Sequence, residues 1–303
     1  MEITQILVNG LISAAVMGLI ALGLTMVYNI LKFANFAHTE FAVIGAYLAF
    51  LLSVTLGLNI FLATFISALL TGLLGVCVDK IIFKRLRGLS SATLMVTSIG
   101  LSIALRNIVR LIWGSDPKRY AIGLQRPFIF LEARITPIQI WIIAVAVISM
   151  VAFHLLLHKT KLGKAMRATS DNPALAQASG IDTEKVTSWV WFIGASFAAI
   201  GGILIGYETV LHPEMGFSIL LPVFCAAILG GIGNPYGAML GAFVLGLAEN
   251  FGIYFNFGNI INLGGIFNFV EEVHVPTEYK PVISFAILIV VLLIRPSGIL
   301  GRK

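Results

Sequence analysis

The stretch KLGKAMRATSDNPALAQASGIDTEKV, residues 161–186, holds seven of the 34 charged residues in a chain of 303 that otherwise reads largely as hydrocarbon. Its punctuation is that of built structure. Asn172 is a good N-cap, Pro173 suits a first helical turn, and Gly180 suits the left-handed position just past a helix end. These marks predict a two-turn helix over 173–179 with Ala174, Leu175 and Ala178 on one side. So short a helix is marginal alone in water, so it is expected to rest on something. Residues 161–169 before it are basic and amphipathic, and Asp182 or Thr183 can cap the helix that follows. A loop that only fixes topology needs neither caps nor small apolar contacts. The segment therefore reads as a docking helix for a cytoplasmic protein.

Outward from this insert the chain is 58% hydrophobic and only 11% charged, against about 25% charged residues in soluble domains. That composition places it among integral membrane proteins. The basic residues stand at the ends of apolar runs, so the high pI does not point to nucleic acid. Cys77 and Cys225 each lie inside an apolar run and read as small buried apolar residues. Residues 3–31 carry no charge and form too long a run for a signal-peptide core, so they read as a retained span.

Further uncharged runs cover 41–78, 88–105, 135–157, 186–207, 215–248 and 281–294. A span needs about 20 apolar residues. Two of these runs are therefore too long for one helix, and they break at Gly57-Leu58-Asn59 and at 230–235. The result is a single all-α transmembrane domain over 1–303 with nine candidate spans, or eight if residues 32–40 only dip into the bilayer. The polar loop 159–186 is its main excursion. Placing Lys32, 80–87, 159–185 and 295–303 in the cytoplasm puts 13 of the 20 Lys and Arg residues inside. The N-terminus is then outside and the C-terminus inside. Residues 251–270, rich in Asn and Gly, read as an external loop with a short half-embedded helix.

Interrupted hydrophobic segments in corresponding halves point to a transport path. KFANFAHTEFAVIGAY and AAILGGIGNPYGAMLGAF form such a pair, which raises the expectation of an internal repeat. Asn35, His38 and Glu40 either line or gate the path, or occupy a water-exposed turn with Glu40 near a positive helix N-terminus. Gly230, Gly231, Gly233 and Asn234 form the second break, and Gly237 and Gly241 suit close helix packing. Arg106 and Arg110 read as snorkelling to the interface, and Glu249 with Asn250 as a buried polar contact between helices. His154 and His158 read as interfacial. HTE at 38–40 is not HExxH, no strand precedes the Gly-rich break, and 158–165 lacks both the first Gly and the final Ser or Thr of a P-loop. The chain therefore has no nucleotide site of its own in this reading.

GLIALGLTMVYNILKFANFAHTE (18–40), AAILGGIGNPYGAMLGAFVLGLAE (226–249) and EYKPVISFAILIVVLLIRPSGILGRK (278–303), together with the insert, resemble LivH-type permeases. These are the membrane subunits of branched-chain amino acid ABC importers. Thr39 replaces a family Gly, and Leu221-Pro222-Val223-Phe224 lacks a lysine often found there. The resemblance implies a fold like the vitamin B12-type importers, no cofactor in this chain, and ATP bound by partner subunits. It implies a second related permease, two ABC ATPases, an external amino-acid-binding protein and surrounding membrane lipid in the cytoplasmic membrane. The coupling helix would sit in an ATPase groove. Its candidate residues are Arg167, Asp171, Asn172, Pro173, Ala174, Leu175, Ala178, Gly180 and Asp182. Urea or short amides are alternative substrates. A stand-alone channel or secondary carrier is a competing class that leaves the insert without a task.

Overall fold

Hydrocarbon offers the backbone no partner but itself, so apolar runs of span length close their hydrogen bonds as helices. The computed structural model describes residues 2–254 apart from 124, 131 and 132, together with 276, 279–295 and 297–301. Among these residues, seven helices are long and apolar enough to cross a membrane. They are α1 (Glu2–Leu31), α2 (His38–Thr55), α3 (Ile60–Leu86), α4 (Ser91–Trp113), α5 (Pro137–Lys159), α8 (Thr183–Glu208) and α10 (Pro235–Tyr254). Two shorter apolar helices, α9 (Met215–Gly230) and α11 (Lys280–Ile294), join them. Helices α6 (Lys161–Asp171) and α7 (Pro173–Ala178) form the polar excursion. A small antiparallel hairpin, β1 (Phe128–Phe130) and β2 (Ala133–Ile135), lies between α4 and α5 with Phe128 opposite Ile135.

Burial ranks the helices. Over an apolar 18-residue window, 83% of α1 and 72% of α8 are buried within the chain, against 17% of α5. Helices α1 and α8 are therefore the axis of the bundle, and α5 presents its apolar surface outward. Glycines set the axial spacing, because helices in lipid associate through close packing rather than hydrophobic exclusion. A Cβ on Gly23 of α1 would sit 2.5 Å from the Gly194 carbonyl oxygen of α8. One on Gly202 of α8 would strike the Ala42 backbone of α2, and one on Gly45 of α2 would strike Ala199. Gly202→Val is expected to lower stability by about 1–3 kcal/mol through overpacking. Thermal unfolding in detergent measures this, and an unchanged midpoint would count against the crossing as described.

Both expected breaks are present. Helix α2 ends at Thr55 in a π-helical turn, Gly57 takes φ +68°, and the Asn59 side chain accepts the Phe61 N–H at 2.9 Å to start α3. The α9–α10 break turns through Gly231 at φ +110° and Gly233 at φ +86°. Both α1 and this break end at the same pole of the bundle, where Gly233 lies against Asn29. Helix α10 continues through Tyr254, so residues 251–254 of the expected 251–270 loop are helical. The rest of it lies outside the described residues.

The cysteines divide. Cys225 is buried as expected, but Cys77 is exposed on α3. That helix is apolar on every side, so composition could not tell its packed face from its outward one.

Candidate functional site

Three features occupy or adjoin the pole that carries α6 and α7. The first is the excursion itself. The Thr160 side chain caps α6 through the Gly163 N–H at 3.0 Å, and Gly163, Met166 and Thr169 are buried at every third position. Asn172 then caps α7 by accepting the Leu175 N–H at 3.0 Å, with Pro173 at the first turn. The far end closes in a Schellman motif: the Ile181 N–H donates to the Ala176 carbonyl and the Gly180 N–H to the Gln177 carbonyl, both at 3.0 Å. Gly180 takes the φ of +84° that this motif requires. Asp182 caps α8 through the Lys185 N–H at 3.0 Å. That backbone bond, reinforced by the Lys185 ammonium, holds the Asp182 carboxyl below the usual carboxylate range.

Within α7 only Ala176 is buried. Ala174 and Ala178 are exposed, and Leu175 is 65% exposed. The nine candidate coupling residues thus separate by position. Asn172, Pro173, Gly180 and Asp182 shape the ends, while Ala174, Leu175 and Ala178 form the free surface. Arg167 and Asp171 face a cavity instead, with Arg167 donating to the Leu157 carbonyl of α5.

That cavity is the second feature. It encloses about 700 Å³ between the end of α1, α6, the α9–α10 break and residues 297–301. Lys32, Arg167, Asp171 and Asn234 give it polar walls, and Met26 and Ile228 an apolar floor. Lys32 takes φ +54°, a left-handed conformation held by no other non-glycine among the described residues. A nearly apolar recess of about 60 Å³ adjoins it between Leu24 of α1 and Phe224 of α9, sharing Tyr28, Ile228 and Gly233 with the larger space.

The second break is held by the chain's own tail. The Ile299 N–H donates to the Leu229 carbonyl at 2.8 Å, and the Leu300 N–H to that of Gly230 at 2.9 Å. Gly231 packs on the Gly301 backbone. The Asn234 side chain donates to the Leu300 carbonyl at 3.0 Å, and its oxygen accepts from the Tyr236 and Gly237 N–H groups to cap α10. Gly237 and Gly241 face Gly230 and Ala226 across the α9–α10 contact without room for a Cβ. Gly230 and Gly231 therefore hold the tail and the turn, while Gly233 and Asn234 border the cavity. The pattern in 295–303 gave no sign of this closure.

The third feature lies deeper. Residues 32–37 fold back into the bundle, and the Phe36 N–H donates to Ser98 Oγ at 3.0 Å. Ser98 is seven residues into α4, roughly 10 Å along its axis. Helix α2 consequently begins inside the bundle. Asn35, His38 and Glu40 are at most 1% exposed, so they occupy no water-exposed turn, and none of them borders the cavity. Glu40 Oε1 accepts from Arg106 Nη2 at 2.7 Å and from Ser102 Oγ at 3.0 Å. The Arg106 guanidinium also lies 5.0 Å above the Phe217 ring of α9.

Arg106 therefore points inward, not to an interface, and Arg110 pairs with Glu214. The missed signal was a carboxylate and a guanidinium at the edges of separate apolar runs, each of which needs a partner if it turns inward. Glu249 and Asn250 match the expected interhelical contact. Ser284 of α11 donates to Glu249, and Asn250 Nδ2 donates to Ser13 of α1 at 3.2 Å. His154 Nδ1 lies 2.9 Å from the Tyr236 hydroxyl, and the His158 ring is tilted against that of His154 at 4.7 Å.

Comparison with known proteins gives this arrangement its context. The family model described as "Branched-chain amino acid transport system / permease component" matches residues 6–292. The chain is 36% identical to the high-affinity branched-chain amino acid transport system permease protein BraD of Pseudomonas aeruginosa, over 98% of this chain and 95% of that one. It is 33% identical, over the same shares, to the permease protein LivH of Escherichia coli K12. A more distant relative is the ribose import permease protein RbsC of Haemophilus influenzae, 25% identical over 80% of this chain and 76% of that one. Among solved structures, PsaBC from Streptococcus pneumoniae in complex with Fab has a TM-score of 0.50 at 14% identity, covering 95% of this chain and 91% of that one, a likeness of fold alone. With a family model across nearly its whole length and relatives above 30% identity end to end, this multi-span chain belongs to the permease family of branched-chain amino acid transport systems.

Proposed function

We propose that this chain is the translocating subunit of an ATP-driven importer of branched-chain or related hydrophobic amino acids. It works by alternating access in the cytoplasmic membrane. The observation that carries the proposal is α7, a helix closed at both ends by side-chain and backbone caps whose apolar tip is left exposed. No internal packing requires such a tip, whereas a groove on an ATPase would bury it.

The wider assembly is a second related permease, two ABC ATPases below and an external amino-acid-binding protein above, with lipid around the apolar faces. This chain brings neither a cofactor nor catalysis of its own, and ATP is bound by the partners. The distribution of Lys and Arg supports an external N-terminus, a cytoplasmic C-terminus and nine crossings, with the α6–α7 pole in the cytoplasm. The cavity is then the inner vestibule of the path, and the recess between Leu24 and Phe224 is its narrow apolar continuation. An apolar lining with polar walls suits a hydrophobic side chain on a zwitterionic head. The names of the relatives point to the same substrate class.

Asn35, His38 and Glu40 act in this scheme by gating. They stand where α2 starts inside the bundle, and a change in that joint would move α2 against α4.

The test is uptake of labelled leucine into liposomes holding the complete complex, with internal ATP and external binding protein. Uptake is expected to require both, to be competed by isoleucine and valine, and to be indifferent to urea. Flux through the chain alone would overturn the assignment in favour of a self-sufficient carrier, and competition by urea would move the substrate to short amides.

A further inference from the structure

A second cluster of charge sits at the α7 pole, outside the features described above. Arg87, one residue beyond α3, divides its guanidinium between two helices. Its Nη2 donates to both Asp79 oxygens at 2.6 and 2.5 Å, and its Nη1 to Glu184 Oε1 at 2.7 Å. Lys84 Nζ lies 3.2 Å from the other Glu184 oxygen. Asp79 is 1% exposed and Arg87 18%, so the Asp79 half of the fork is largely removed from water, where such bonds gain strength and direction.

The two acids belong to different helices. Glu184 is in the first turn of α8, two residues after the Asp182 cap. Only residues 179–182 separate α8 from α7, and they are held in the Schellman turn and that cap. A displacement of α7 must therefore displace the start of α8. Asp79 opens the π-helical turn 79–83 of α3. Such turns shift the register of a helix and concentrate at functional positions. Phe83, the last residue of that turn, stacks on Trp191 of α8 at 5.1 Å and on Phe33 of the folded-back segment at 5.2 Å. The segment leads directly to Asn35, His38 and Glu40. One turn of α3 is thus tied by an ion pair to the docking end of α8 and by stacking to the buried joint at the start of α2.

We infer that Arg87 is a positioning residue that passes displacement of α7 from Glu184 of α8 to the π turn of α3, and through Phe83 to the folded-back segment that carries the α2 joint. The inference rests on α7 being the ATPase-coupled helix. It adds which contact carries the motion inward.

Glu184→Gln removes the charge from the α8 half of the fork, reducing it to a bond with a neutral carbonyl oxygen, and leaves Arg87 on Asp79. Glu184 is half exposed, so the chain should tolerate the change. In liposomes holding the complete complex, assembly and melting temperature are expected to stay as in the parent, and ATP hydrolysis stimulated by the loaded binding protein is retained. Leucine taken up per ATP hydrolysed is expected to fall about fivefold or more. Arg87→Lys keeps the charge but loses the fork, and is expected to fall between parent and Glu184→Gln. A merely structural tie would lower assembly, hydrolysis and uptake together with the ratio unchanged, and that result overturns the inference. Leu175→Asp, assayed in parallel, separates the two levels of failure. If it leaves uptake intact, the coupling role of α7 falls and this inference with it. If it abolishes uptake while Glu184→Gln keeps the parental ratio, only the relay through Arg87 falls.

Discussion

Leu175→Asp is expected to abolish ATP-driven uptake while the chain remains inserted and folded. Leu175 is 65% exposed, so its side chain does little for the chain's own packing. What holds α7 in place is elsewhere: the Asn172 cap uses the Leu175 backbone N–H, Ala176 provides the buried contact, and the Schellman turn closes the end. All three survive the substitution. Burying a leucine side chain in a partner's groove is worth about 1.5–3 kcal/mol. An interface this small in chain length leans on few residues, and losing a central apolar anchor costs about 2 kcal/mol or more. Truncation to alanine should therefore weaken ATPase binding by about tenfold to a hundredfold. Aspartate adds the cost of desolvating a charge in an apolar groove, so its loss should exceed that of alanine. The measurements are copurification of the ATPases, uptake per unit of complex, and the melting temperature of the permease. Full uptake in a complex carrying Leu175→Asp would remove the role assigned to α7.

This excursion was also the part most legible in the sequence, for a physical reason. Caps act over three or four residues, so Asn172, Pro173, Gly180 and Asp182 state their geometry locally, and each stands in the structure as its residue type implied. The two breaks were legible for the same reason, because Gly57-Leu58-Asn59 and the glycines at 230–233 interrupt apolar runs where they stand. What stayed hidden was long-range. Glu40 and Arg106 are 66 residues apart, and Arg87 and Glu184 97. A charge near an apolar run can snorkel to the interface or find a partner within the bundle, and periodicity cannot distinguish the two. The same limit explains Cys77, since α3 is apolar on its packed and outward faces alike. The fold-back of residues 32–37 was hidden because Lys32 ends a span whether the chain then leaves the membrane or turns inward. The choice is made by Ser98, which receives the Phe36 N–H, and by Phe33, which packs between α3 and the rest of the bundle.

Arg106→Ala is expected to destabilise the protein by about 3–5 kcal/mol, since it strands the Glu40 carboxylate inside the bundle. Glu40 is 1% exposed, and after the change it would keep only the Ser102 hydroxyl of its present side-chain partners. Arg110, one turn further along α4, is already held by Glu214 and cannot take the vacated place. The reverse substitution should cost less. Glu40→Gln retains a carbonyl oxygen that can accept from Ser102 and Arg106, and the guanidinium, left without its countercharge, is 17% exposed and rests above the Phe217 ring. Its loss is expected near 1.5 kcal/mol, about that of one hydrogen bond to a charged group. Combining Glu40→Gln with Arg106→Ala should then cost less than Arg106→Ala alone, because no charge is left stranded. Thermal or denaturant unfolding of the four proteins in detergent forms a double-mutant cycle, with an expected coupling of about 1.5–3 kcal/mol. Costs that simply add would mean the two side chains do not meet, and α2 would then have to begin somewhere other than beside α4. An asymmetric, non-additive cycle would place the joint at the start of α2 where the Glu40–Arg106 contact puts it, in the same interior that a motion passed inward from α7 must reach.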